Sequence, residues 1–331
     1  MPEETIERKY LPNLDFLRVV AAYFVMLYHL NWEGNDVFST TFSYGYLGVY
    51  VFFCISGFIT PLSMHWSGYQ LKLWKKFLIS RFFRLYPAFA VIALFEILLY
   101  TCGGFMGYSY RLDQFTAVQI ISNFTWTAEF LEQDWIIAIF WTLAIEAQFI
   151  ILMLIVYPLF KSFNNLPVVI AEALRILPVL IFIGVNCYLG RGDTIFNYGA
   201  VFGMGMLVYL YYTKFISVPF LLGGLSFAAW VNFQKVSEYQ TYVATTVALL
   251  IAFLPDINSR MIKYFGKFTY SFFLIHLTFG GATCFLLRGL PEEWYFQLIK
   301  VLIAGVVAFG FSRLFYYKIE KPLHDYSRKF K

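Results

Sequence analysis

Charge is what this sequence has least of. Only 14% of its 331 residues are Asp, Glu, Lys or Arg, against 60% hydrophobic and 22% aromatic. That balance leaves too little polar surface to coat a soluble globule, so the surrounding solvent must be mostly lipid. Cysteine is scarce as well. Cys54, Cys102, Cys187 and Cys284 stand singly within or at the ends of apolar segments, without the paired spacing of zinc or redox motifs. They read as small core residues, and a disulfide among Cys102, Cys187 and Cys284 stays open because all three fall near predicted outer helix ends. No H-E-x-x-H pattern occurs, so no metal site is expected. Repeats, low-complexity stretches and lipidation motifs are missing. The mixed-charge start MPEETIERKYLPNLD lacks the basic leader and small-residue cleavage site of a signal peptide, and the first apolar segment is expected to be retained. The net charge of +5 implies no nucleic-acid partner, because the basic residues gather on one side of the apolar segments.

What the chain does have is apolar runs long enough to span a bilayer, at roughly 14–31, 46–64, 87–102, 135–157, 174–189, 195–213, 216–233, 241–255, 268–288 and 295–317. The expected fold is an all-α, polytopic membrane protein of about ten transmembrane helices, a single domain over 1–331 with its helical core at about 14–317. With the N-terminus placed inside, 20 of the 25 lysines and arginines fall in inner segments and five in outer ones, Arg111, Arg191, Lys235, Arg288 and Lys300. That bias puts both termini in the cytoplasm.

The run Asp15 to Leu30 organises the rest. Arg18 and His29 are eleven residues apart, about three helical turns, so they share one face and lie ~16 Å apart along the axis. Intramembrane ionisable groups are costly and usually line a cavity or pathway, so the stripe reads as the wall of a polar channel. The plain alternative anchors Arg18 and His29 at opposite interfaces. In the second run, Ser56 and Gly57 permit close helix packing and Pro61 frees backbone carbonyls, while Ser56 is also a candidate for the pathway. Arg81 and Arg84, three apart just before Pro87, have the spacing of a phosphate clamp or of an ordinary positive-inside anchor. Pro87 is expected to open the third span.

Glu96, Glu146 and His276 fall near the middle of three further runs, where a charged group must be paired, neutral or functional. Two histidines and two glutamates at similar depth are expected to be related. The outer segment 103–134 carries Tyr108, Tyr110, Arg111, Asp113, Trp126, Glu129, Glu132 and Asp134, a composition that suits sugar binding and equally the interfacial aromatic belt. Asn123-Phe124-Thr125 formally matches a glycosylation acceptor.

Six segments, LDFLRVVAAYFVMLYH, GVYVFFCISGF, SRFFRLYP, WTLAIEAQF, SFFLIH and IEKPL, occur in an order that resembles the acyltransferase-3 family of integral membrane O-acyltransferases, which modify surface polysaccharides and related envelope molecules. The resemblance covers nearly the whole chain and looks like a minimal member without an added extracytoplasmic domain. It implies transfer of an acyl group, by default acetyl, from cytoplasmic acyl-CoA to a hydroxyl of a glycan or lipid-linked glycan, in the cell membrane of a bacterial host. No permanently bound cofactor is implied; acetyl-CoA is a donor substrate. Arg18 and His29 match the family's essential arginine and histidine, and Arg81 and Arg84 its cytoplasmic arginine pair. His29 would be the general base, Glu146 would orient or charge-balance an imidazole, and His276 is a further catalytic candidate. The chain departs from its relatives at Ala147 and Tyr50, where acidic or polar residues are common. The rival class is a proton-coupled lipid or glycan transporter, which also uses membrane histidines and glutamates.

Overall fold

The structure is a computed structural model that describes residues 9–30, 37–105, 115–163, 165–189, 192–291 and 293–330. Tyr108, Tyr110, Arg111 and Asp113 of the outer segment, with Arg8, Arg191 and Lys331, lie outside the described residues. Among the described residues all regular structure is helical. In chain order the helices are α1 (Pro12–His29), α2 (Val37–Ser43), α3 (Gly48–Trp66), α4 (Trp74–Phe105), α5 (Ala117–Phe124), α6 (Phe140–Phe160), α7 (Val168–Leu189), α8 (Gly199–Tyr212), α9 (Val218–Lys235), α10 (Glu238–Phe253), α11 (Arg260–Gly266), α12 (Thr269–Ile275), α13 (Gly281–Leu286), α14 (Trp294–Phe315) and α15 (Lys321–Ser327). Two π-helical turns, His276–Gly280 and Tyr316–Glu320, join α12 to α13 and α14 to α15.

Every predicted run is helical for most of its length. Among the described residues six helices are long and apolar enough to cross a membrane: Phe38–Trp66, Leu71–Cys102, Phe140–Phe160, Val168–Leu189, Thr269–Leu286 and Trp294–Phe330. Of the remaining runs, α8 and α10 are 14 and 16 residues long, while α1 carries Asn13, Asp15, Arg18 and His29 among its 18 residues. One expectation is corrected. Pro87 does not open a span; it sits inside the 32-residue α4, since one lost backbone bond is tolerated where neighbouring groups satisfy the freed carbonyl. Helical structure also continues past residue 317. The last helix continues through the second π turn into α15, where Pro322 occupies the first turn and has no N–H to lose.

The chain divides into two compact units, residues 1–21, 47–78 and 145–266, and residues 22–46, 79–144 and 267–331. In the first, α3 packs on α8 with backbones in contact: a Cβ on Gly57 would lie 2.2 Å from the Phe202 carbonyl oxygen, and one on Gly205 2.1 Å from that of Cys54. Only small residues allow that approach, and rings close around it, with Phe202 stacked on Phe53 and Phe149 at 4.9 and 4.3 Å. Asn13 ties α1 to the segment after α10 by donating to the Leu254 and Pro255 carbonyls and accepting from Ile257 N–H. Lys9 meets Asp256 nearby, and the carboxylate raises the ammonium pKa.

In the second unit Gly45 lies against the Phe24 carbonyl, where a Cβ would sit 2.1 Å from the oxygen, and Gly280 leaves room for Leu30, whose carbonyl accepts from Cys284 Sγ. Asn123 is fully buried. Its amide donates to the Gln119 and Asp134 carbonyls and its oxygen accepts from Ile136 N–H, so the glycosylation match is a structural knot rather than an accessible acceptor. All four cysteines are free thiols.

Candidate functional site

The second unit gathers most of the ionisable residues expected to matter. His29 ends α1 and His276 begins the first π turn, and their rings stand 5.5 Å apart between centroids. The widened turn follows directly on α12, the kind of local departure from α geometry that recurs at functional sites. His276 is fully buried among the rings of Phe272 and Phe273. Its Nδ1 lies 2.8 Å from the Phe273 carbonyl oxygen. A carbonyl only accepts, so Nδ1 carries the proton and Nε2 keeps its lone pair. That Nε2 is buried and without a hydrogen-bond partner among the described residues. His29 is half-buried, with Tyr28 edge-on at 4.9 Å. The pair therefore offers a fixed acceptor lone pair beside a more accessible imidazole, an arrangement able to take up and return a proton.

Two carboxylates close around the same helix. Glu96 on α4 accepts from Thr278 Oγ1 at 3.0 Å, two residues beyond His276, and Phe95 stacks on Phe279 at 5.7 Å. Glu320, at the end of the second π turn, accepts both Ser271 N–H at 3.1 Å and Ser271 Oγ at 2.5 Å through one oxygen. Arg84 is near enough for its charge to act on that carboxylate. Arg81 is buried and Arg84 half-buried, on a stretch of α4 held to α15 by Ser80 Oγ donating to the Ser327 carbonyl and to α12 by Tyr270 donating to the Leu85 carbonyl.

Arg18, Glu146 and Ser56 belong to the first unit. α1 runs unbroken through Arg18 and His29, as their shared stripe requires. Arg18 pairs with Asp15 at 3.5 Å, and Asp15 also accepts from Tyr10. Glu146 and Ser56 are half-buried on α6 and α3. Two residues on from Glu146, Gln148 caps Ile195 N–H before α8. Tyr50 is a buried ring beside Tyr198, which gives its departure from the family pattern a packing role. Among the described residues, no group of three or more His, Cys, Asp or Glu side chains is placed to hold a metal.

Reading the sequence by itself left Ser271, Thr278 and Glu320 without roles. Ser271 and Glu320 open SFFLIH and stand within IEKPL, so the signal lay in those two motifs, but their pairing across 49 residues could be seen only in the fold.

The profile of the acyltransferase domain family matches residues 11–317, and the chain belongs to that family. It is a multi-pass integral membrane protein. Among curated relatives it is similar to the putative peptidoglycan O-acetyltransferase YrhL of Bacillus subtilis, 26% identical over 98% of this chain and 56% of the relative. It is similar also to the peptidoglycan O-acetyltransferase OatA of Listeria monocytogenes, 36% identical over 28% of the chain and 14% of the relative. The O-acetyltransferase OatA of Staphylococcus aureus is 29% identical over 49% and 26% respectively. The chain thus spans little more than half the length of these relatives at most. No solved structure matches it.

Proposed function

We propose that the chain is a membrane O-acyltransferase that moves an acyl group, acetyl by default, from cytoplasmic acyl-CoA to a hydroxyl of an envelope glycan, free or lipid-linked. The supporting observation is the buried His276 Nε2 lone pair beside His29. Two relatives named for peptidoglycan make that glycan the first acceptor to test. His29, the more accessible imidazole, takes the acceptor's hydroxyl proton as the oxygen attacks the thioester carbonyl. The C–S bond breaks, and the departing thiolate takes the proton back from the imidazolium. His276 holds His29 in register by offering Nε2 to the charged ring's N–H, and Glu146 balances the transient positive charge. Arg18, Arg81 and Arg84 bind the donor's phosphates. Glu96 and Ser56 lie along the acyl pathway.

The same reading has the whole chain acting as one domain, with ten helices crossing the membrane and both termini in the cytoplasm, as the lysine and arginine bias suggests. Cysteine labelling in a cysteine-free background should then reach Lys75→Cys only from the cytoplasm and Lys235→Cys only from outside. The opposite pattern overturns the donor path. For the activity, purified protein is incubated with radiolabelled acetyl-CoA and isolated peptidoglycan. Alkali-labile label on the glycan is expected. A well-folded protein that binds but never acylates any envelope glycan would return the chain to the transporter class.

A further inference from the structure

α12 starts without a cap of its own. Phe268 precedes it and contributes no side-chain hydrogen bond, so the amide groups of its first turn need partners from elsewhere. One comes from Glu320, 49 residues on, whose Oε2 accepts from Ser271 N–H and from Ser271 Oγ. Ser271 is completely buried, so neither bond is in competition with water, and charge-assisted bonds of this kind are the stronger sort. Ser271 precedes His276 by five residues, ~7.5 Å along the axis. A shift or rotation at the start of α12 is therefore passed directly to the imidazole. The anchor itself is rigid: Glu320 ends a π turn, and the next helix is tied to α4 through Ser327 and Ser80.

We propose that Glu320 is a positioning residue for His276, a cap supplied from the last helix that fixes the depth and rotation of the helix bearing the buried imidazole. The role in turnover rests on the acyltransferase reading above; the clamp itself does not. Because Arg84 acts on the same carboxylate, the clamp sits beside a group assigned to the donor, and donor affinity must be measured separately from rate.

The test uses the whole chain in nanodiscs with four variants, Glu320→Ala, Ser271→Ala, Ser271→Thr and the Glu320→Ala/Ser271→Ala double variant. Hydrogen exchange over 269–276 is expected to accelerate in Glu320→Ala, and less in Ser271→Ala, while exchange over 48–66 stays at the wild-type rate. Turnover should fall about 10- to 100-fold in Glu320→Ala with donor KM within about twofold of wild type, the signature of a misplaced reacting group. Ser271→Thr, which keeps both donors, should restore most of the rate, and the Glu320→Ala/Ser271→Ala double variant should be no slower than Glu320→Ala alone. Should Glu320→Ala fail to fold, the two Ser271 variants test the same bonds from the other side. Unchanged exchange over 269–276, or faster exchange with wild-type turnover, overturns the proposal. A wild-type protein that acylates nothing overturns the acyltransferase reading instead, and the exchange measurement still decides the clamp.

Discussion

The two units bury polar groups in different ways. In the first, buried charge is answered at close range: Glu172 on α7 accepts from both the N–H and the hydroxyl of Ser217, and Arg175 donates to the Phe215 carbonyl while its guanidinium lies 4.9 Å from that residue's ring. Elsewhere that interior packs glycine against backbone and ring against ring, and its buried Asn232 donates to Thr241 Oγ1. In the second, the buried Nε2 of His276 meets no hydrogen-bond partner among the described residues, and Glu320 and Glu96 accept from Ser271 and Thr278 on either side of it in the chain. Buried polar atoms that meet no partner among the described residues occur in both units, Asn232 Oδ1 in the first being one, so the difference lies in the chemistry: the second unit sets two imidazoles 5.5 Å apart, where the first sets packed rings and backbone.

That comparison can be broken in several places. The largest effect should come from His29→Ala, which is expected to slow transfer 10²- to 10⁴-fold while leaving donor affinity near wild type, as loss of a general base does. Measuring single-turnover transfer and donor binding on matched samples checks it, and lost donor binding would move His29 to the donor group. Next, Arg81→Ala with Arg84→Ala should raise the donor KM about a hundredfold or more, since each removes charge-assisted bonds to phosphate worth roughly 1.5–3 kcal/mol. Donor affinity of the wild type should also weaken with added salt. Unchanged affinity in a folded double variant would leave these arginines as topology anchors.

In the first unit the prediction concerns stability rather than rate. Gly205→Val must push the two touching backbones apart and should destabilise by about 1–3 kcal/mol or more, read as a lower detergent melting temperature. Gly223→Ala, where a Cβ meets nothing within 4 Å, should be neutral or slightly stabilising. Equal tolerance at both sites would contradict the packing account. The smallest expected effect is Glu146→Gln, which should slow turnover without changing donor KM; a change confined to donor KM would reassign Glu146 to donor binding.

The all-helical membrane class was legible because the composition leaves too little polar surface to coat a soluble globule, and the shared stripe of Arg18 and His29 followed from helical periodicity. Gly57 was legible as a packing residue because a small side chain within an apolar run lets another helix approach closely. Three features were not. Pro87 reads locally as a helix start, yet α4 passes through it, because a long apolar helix tolerates one lost bond when its surroundings satisfy the carbonyl. The π turns have no distinct periodicity in the sequence, and they are what set His276 and Glu320 where they stand. The Asn123 motif matched a modification signal by spacing, but its side chain is consumed by three hydrogen bonds to backbone groups, which only the fold reveals.

The central claim is that His29 and His276 act as one unit. It is tested most directly by measuring acyl transfer in His29→Ala, His276→Ala and the double variant at equal folded protein and saturating donor. If the two imidazoles share one proton-transfer step, each single variant is slowed strongly and the double variant is no slower than the slower single. Near-normal turnover in His276→Ala, or losses that multiply in the double variant, would contradict it.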